Sequence, residues 1–203
     1  MTTLVHRALE LLFMRPSGER TADAAYAALA DAIHEYRSDP EFTDLHLTDE
    51  QAAQFFEEAR VLVGCYLRME DPRSVREIGL ELRLEAPAGD LMLRGIIDRL
   101  ELDEQGGLVV TDYKTGRAPS TNFEQSRLTG VHFYSFLCES VLGRRPSAIR
   151  LMYLKTGEII EARPSQQSVR YVTTRTTAVL KAIEKSCTSG SFQRGLVPLL
   201  TSK

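Results

Sequence analysis

Tryptophan is absent from these 203 residues, and cysteine occurs three times, at Cys65, Cys138 and Cys187. An odd number of cysteines, far apart and without a Cys-x-x-Cys pair, excludes a disulfide framework and a zinc knuckle and predicts a reducing cytoplasm as the setting. No apolar run approaches the roughly 18 residues of a membrane span, because His6, Arg7 and Glu10 already interrupt the apolar start at Leu4. Neither a span nor a signal peptide is expected. With 13 glycines and 8 prolines the chain has no collagen-like or low-complexity bias. What is present, 43% hydrophobic and 26% charged residues, suits a chain that buries a core. The length, with no long linker, predicts one domain over 1–203: a mainly helical part over 1–72, then a sheet core with C-terminal helices over 73–203.

The net charge of −3 is unevenly spread. Residues 1–80 hold 8 basic and 15 acidic side chains, giving −7, and residues 81–203 hold 17 and 13, giving +4. Salt screens distant charge, so a polyanion responds to the local sign and meets the second part first. Charge alone is equally compatible with an acidic helical half that simply solvates itself.

Thr2 to Phe13 carries Leu4, Val5, Ala8, Leu9, Leu11 and Leu12 over a wide helical arc, which predicts a buried helix with His6 at the edge of that arc. A turn at Pro16–Gly18 leads to a second helix opened by Thr21 and closed at Asp39–Pro40. Thr48-Asp49-Glu50-Gln51 is a capping box before Phe55, Phe56, Ala59, Leu62, Val63, Tyr66 and Leu67, an amphipathic helix that Asp71–Pro72 ends. From Val75 the period changes to two: Ile78, Leu80, Leu82 and Leu84 alternate with charged residues as one apolar strand face. Strands at 91–102 and 108–114, joined by Asp103-Glu104-Gln105-Gly106-Gly107, complete an antiparallel meander. A helix over 122–142, ended by Gly143, a hairpin of 148–155 with 158–162 around Thr156–Gly157, and a helix over 165–186 follow.

The chemistry concentrates in Gly95-Ile96-Ile97-Asp98-Arg99 and Thr111-Asp112-Tyr113-Lys114-Thr115-Gly116. If the five-residue link sets Leu102 opposite Leu108, Asp98 falls opposite Asp112, and Lys114 shares their face because it lies two residues on. Two unit charges about 5 Å apart repel by roughly 3 kcal/mol at an effective dielectric near 20. A hard divalent cation with oxygen ligands offsets that, and Mg²⁺ or Mn²⁺ fits such a set. An ordinary charged strand face with a Lys–Asp surface pair is the alternative reading of the same residues.

Gly-x-x-Asp-Arg followed by Asp-Tyr-Lys-Thr-Gly, preceded by a Leu-Val-His-Arg-Ala-Leu-Glu helix, resembles the RecB-type exonuclease branch of the PD-(D/E)xK nuclease superfamily, similar to CRISPR-associated and helicase-linked nuclease domains. The likeness runs from the first helix to about Ser186. It implies an α/β (α+β) fold with a restriction-endonuclease-like core: a central mixed β-sheet, the meander plus the following strands, flanked by helices, with an N-terminal helical extension. It implies that His6, Asp98, Asp112 and the carbonyl of Tyr113 hold Mg²⁺ or Mn²⁺ and that Lys114 orients the attacking water. Glu10 and Glu81 stand close enough in pattern to support the ligands, although solvated carboxylates are the commoner case.

The chain departs from the family at two points. Relatives carry Gln-x-x-x-Tyr on the helix after the lysine strand; Tyr134 matches, Gly130 occupies the glutamine position, and Gln125 is the candidate replacement. Many relatives hold an iron–sulfur cluster, whose cysteines are missing from this chain. Cys65, Cys138 and Cys187 instead fall in or beside expected helices, where burial is the default. The chain also reads as a core trimmed at both ends.

For the substrate, Arg94, Arg99, Arg117, Arg127, Arg144, Arg145 and Lys155 offer an electropositive approach, with Arg99, Arg117 and Arg127 as the DNA-binding candidates. With no tryptophan, Phe123, His132, Phe133 and Tyr134 are the aromatics near the site that can stack a base. The resemblance implies a divalent-metal-dependent DNA exonuclease acting on single-stranded DNA in repair or recombination, with DNA as substrate, a helicase or other repair protein as partner and no membrane. The alternative is a catalytically silent DNA-binding or scaffold module of a helicase–nuclease assembly.

Overall fold

Leu4, Val5, Ala8, Leu9, Leu12 and Phe13 recur at three- and four-residue spacing, and all six are buried on one helix, α1 (Thr2–Phe13). The computed structural model describes residues 1–118 and 124–166, with only the backbone given over 124–129, and the isolated residues 174, 178, 182, 187 and 188. Thr21 caps α2 (Ala22–Tyr36) by accepting from Ala24 N. A four-residue helix, α3 (Pro40–Thr43), follows. The sequence reads Asp39–Pro40 only as a helix end, but Asp39 caps α3 and Pro40 occupies its first position, where a missing N–H costs nothing. The capping box of α4 (Asp49–Met69) forms in full: Thr48 Oγ1 accepts from Gln51 N at 3.3 Å, and Thr48 N donates to Gln51 Oε1 at 2.9 Å.

Five strands form one sheet in the order β1-β2-β3-β4-β5. β1 (Glu77–Ala88), β2 (Leu91–Leu102) and β3 (Leu108–Lys114) make the antiparallel meander. α5 (Glu124–Leu142), ended by Gly143 at φ 66°, leads to β4 (Ala148–Tyr153), which pairs parallel with β3. β5 (Glu158–Ala162) returns antiparallel against β4. The sheet is therefore mixed and flanked by helices, an α/β restriction-endonuclease-like architecture. The helix expected over 165–186 falls almost wholly outside the described residues.

Two apolar clusters lie on the sheet's two faces. α1, α2 and α4 pack with Tyr113, Met152 and Leu154. Val131, Phe136, Leu137 and Cys138 of α5 pack with Ile97, Leu100, Val110 and Ile149. Gly95 brings α5 close, since a Cβ there would stand 2.7 Å from Leu137 Cδ1 and from Phe133 Cε1. Arg20, 3% exposed, ties the end of α1 to the start of the sheet by donating to Phe13 O at 3.2 Å and pairing with Glu77 at 2.5 Å.

β1 corrects the expectation of one unbroken apolar face. Ile78 is 52% exposed, Leu80 packs into the first cluster, and Leu82 and Leu84 belong with the second. The register shifts between Glu77 and Gly79, and Glu81 adopts φ 44°, so alternation is reset twice within five residues. Of the cysteines, Cys138 is buried as expected, Cys65 is half-buried and Cys187 is exposed, so burial does not hold for the last.

Candidate active site

The β2/β3 ladder runs from Leu102↔Leu108 to Arg99↔Thr111, the register read from the five-residue link. Asp98 and Asp112 stand one step beyond its last pair, and both are buried, 8% and 4% exposed. Asp98 Oδ2 accepts from the backbone N–H of Tyr113 at 2.7 Å. Asp112 Oδ2 lies 2.6 Å from Lys114 Nζ, and its Oδ1 lies 2.9 Å from the Tyr134 hydroxyl of α5, which also stands 3.1 Å from Ile96 O. His6 reaches in from α1: its Nδ1 is 3.4 Å from Asp98 Oδ1 and its Nε2 is 3.0 Å from the carbonyl of Tyr113.

These contacts set the charge states of the metal-free protein. Burial opposes the His6 imidazolium, but the hydrogen bond to Asp98 and the fields of Asp98, Asp112 and Glu81 outweigh it and raise its pKa. The geometry agrees, because both ring nitrogens face acceptors and only the doubly protonated ring satisfies both. Burial and then Asp98 push the Asp112 carboxyl up, against Lys114 and Tyr134. Burial and then Asp98 likewise raise Glu81. Burial works against the Lys114 ammonium, but Asp112 more than compensates, so Lys114 stays charged.

Hard oxygen donors and one imidazole suit a divalent cation of the Mg²⁺ or Mn²⁺ kind. Among the described residues, His6, Glu81 and Asp98 form a group whose candidate ligand atoms all lie within 4.8 Å of one another. Asp112 is not a member of that group; Lys114 and Tyr134 hold it instead. Glu81, which by pattern alone reads as a solvated carboxylate, is thus drawn into the site. Its signal in the sequence is faint, because no periodicity reveals a left-handed residue inside a strand.

The cationic candidates divide. The expectation that Arg99 faces DNA is overturned: it is 0% exposed, donates to the Tyr113 hydroxyl at 2.8 Å and to Glu70 Oε2 at 3.1 Å, and lies 2.5 Å from Glu101 Oε2. The reason is strand alternation, which turns residue 99 to the face opposite Asp98. Arg117 is exposed, three residues past Lys114. Arg94 is exposed and paired with Glu85 at 3.1 Å. Arg144 donates to Gly106 O at 2.9 Å, which puts it at the β2–β3 turn, the far end of the hairpin from Asp98. Lys155 is exposed just beyond β4, whose Tyr153 pairs with Lys114. The side chains of Gln125 and Arg127, and the whole of Phe123, lie outside the described residues. No helix among the described residues is long and apolar enough to cross a membrane.

Comparison with known proteins identifies the family. Residues 73 onward carry the acids and the lysine, but the match to the PD-(D/E)XK nuclease superfamily is far wider, covering residues 3–193. A component of an ATP-dependent helicase/nuclease from Moorella thermoacetica (strain ATCC 39073 / JCM 9320) is 36% identical over 77 residues. That alignment covers 37% of this chain and 5% of the relative's length. The likeness to a helicase/nuclease component is consistent with the RecB-type branch, and the extent of the family match decides membership: the chain belongs to the PD-(D/E)XK nuclease superfamily.

Proposed function

We propose that this protein is a divalent-metal-dependent DNA exonuclease that hydrolyses phosphodiester bonds in single-stranded DNA, in repair or recombination and alongside a helicase. The observation that carries the reading is the convergence of His6 from α1, Asp98 from β2, and Asp112, the Tyr113 carbonyl and Lys114 from β3 on one buried spot. Exonuclease action, the single-strand preference and the helicase partner draw their support from the RecB-type resemblance and from the helicase/nuclease name of the relative.

In this reading His6, Asp98, Asp112 and the Tyr113 carbonyl hold Mg²⁺ or Mn²⁺, which when bound acidifies the attacking water and relieves charge on the phosphate. The protein's own groups do the positioning. Tyr134 donates to Asp112 and fixes that carboxylate, while the Tyr113 N–H fixes Asp98. Lys114, kept as an ammonium by Asp112, retains N–H donors for the attacking water and a phosphate oxygen. As an ammonium it orients the water and stabilises charge on the phosphate. His6 must give up a ring proton to serve as a ligand, so cation binding releases protons. Arg117 and Lys155, exposed near the same end of the sheet, meet the backbone without regard to sequence.

The test uses end-labelled linear DNA, single- and double-stranded, and a circular single strand, with Mg²⁺ or Mn²⁺, for the parent, Asp112→Ala and Lys114→Ala. The expected result is nucleotide release from linear single strands by the parent, survival of the circle, and loss of release in both variants. A degraded circle makes the protein an endonuclease. No degradation with DNA still bound makes it the silent module.

A further inference from the structure

Glu81 takes no part in the ligand set that the resemblance implies. Its position in the sheet is nonetheless defined, because Leu80↔Arg99 and Leu82↔Ile97 flank it in the β1/β2 register and leave it facing Asp98. Its φ of 44° is in the left-handed region, which is strained for a residue with a side chain and is retained where the surroundings or a function require it. The side chain is half-buried, and among the described residues it makes no hydrogen bond and no ion pair.

Charge balance sharpens the point. Asp112 is matched by Lys114 at 2.6 Å. Glu81 and Asp98 share His6, with all three candidate ligand atoms within 4.8 Å, while Arg83 and Lys114 act on Glu81 and Asp98 respectively through their fields. Two carboxylates at that range repel each other, and one imidazolium shared between them leaves surplus negative charge on the pair. A Gly or Asn would adopt the same backbone more easily, yet a glutamate is held there beside a second acid.

We propose that Glu81 is a ligand of the cation, sharing it with His6 and Asp98, and that the left-handed kink in β1 exists to present this carboxylate. The inference rests on the metal-dependent reading above and adds to it a ligand that the resemblance does not supply. The kink is what turns the chain from one apolar cluster at Leu80 to the other at Leu82 and leaves residue 81 directed at the cation site.

The test is Mn²⁺ binding by titration calorimetry, with melting of the metal-free proteins alongside, for the full chain and for Glu81→Gln, Glu81→Gly and Asp98→Asn. Glu81→Gln, nearly the same shape, should weaken Mn²⁺ binding by at least about tenfold, the scale seen when metal-site groups are removed. Glu81→Gly should weaken it equally while melting above the parent without metal, since glycine accepts the backbone and one repulsive charge is gone. Mn²⁺ affinity within twofold of the parent in Glu81→Gln overturns the proposal, as does a lower metal-free melting temperature for Glu81→Gly. If Asp98→Asn loses Mn²⁺ and Glu81→Gln keeps it, the metal-dependent reading stands and this inference alone falls. If Asp98→Asn also binds Mn²⁺ as the parent does, the reading itself fails.

Discussion

Lys114 Nζ stands 2.6 Å from Asp112 Oδ2, and the two side chains leave the same strand two residues apart. The carboxylate is nearly sealed while the ammonium is about one-third exposed, at 5% and 36%. Asp112 therefore depends on the lysine more than the lysine depends on it. Lys114→Met should cost about 1 kcal/mol of stability, a value discounted for the exposed partner, and should cut hydrolysis by about 10²–10³, as for the loss of one charge-stabilising donor. Urea denaturation and single-turnover cleavage measure the two effects. Cleavage within a few-fold of the parent would remove Lys114 from the chemistry.

Arg99 and Arg117 should separate in opposite ways. Arg99 is buried among Glu70, Glu101 and the Tyr113 hydroxyl, so Arg99→Met strands buried carboxylates and should destabilise by about 3 kcal/mol or more. Arg117 is exposed; Arg117→Ala should change stability by less than about 0.5 kcal/mol. It should instead lower the slope of log affinity against log salt for single-stranded DNA by about 0.7. Melting curves and a salt titration of DNA binding distinguish them. An unchanged slope in Arg117→Ala denies it a phosphate contact.

The unequal legibility of these residues has physical causes. The Asp98/Asp112 arrangement follows from local rules alone, a five-residue link and a period of two, and the ladder at Leu102↔Leu108 obeys both. That same period places Arg99 opposite Asp98, so its inward direction is readable, but its charge argues for the surface. Only three-dimensional partners, Glu70 at the C-cap of α4 above all, explain how a fully buried guanidinium is tolerated. Glu81 depends on a φ of 44° and on β1's register, neither of which leaves a trace in hydrophobic pattern. Ile78 escapes the pattern for the same reason, a register shift at Glu77/Gly79. The short α3 is hidden because Asp–Pro marks a helix end and a helix start alike.

Gly95 couples the sheet to Tyr134. An added Cβ would meet Leu137 Cδ1 and Phe133 Cε1, each at 2.7 Å, and Phe133 directly precedes the tyrosine that contacts Asp112. Gly95→Ala should push α5 off β2, cost about 1–3 kcal/mol by overpacking, and slow hydrolysis by loosening the Tyr134 contact. Tyr134→Phe isolates the second effect: a modest loss of rate with near-parental melting. If Gly95→Ala melts like the parent, the helix has room to yield and the coupling is absent.

His132, also on α5, sets a pH response of its own. Partial burial disfavours its imidazolium, so its pKa in the folded protein lies below the ordinary 6.5. As pH falls through 6.5 the unfolded chain takes up this proton first. Between 6.5 and the lowered folded value the unfolded state then holds more protons, and stability declines with falling pH. His132→Gln cannot titrate and escapes that decline. Melting temperatures of parent and variant, both free of metal, should therefore diverge in the variant's favour between pH 7.5 and pH 5.5, because the proton that burial excludes from the folded ring is available only to the unfolded one. A gap that stays constant, or that moves toward the parent, means that the folded ring accepts its proton as readily as the unfolded chain does.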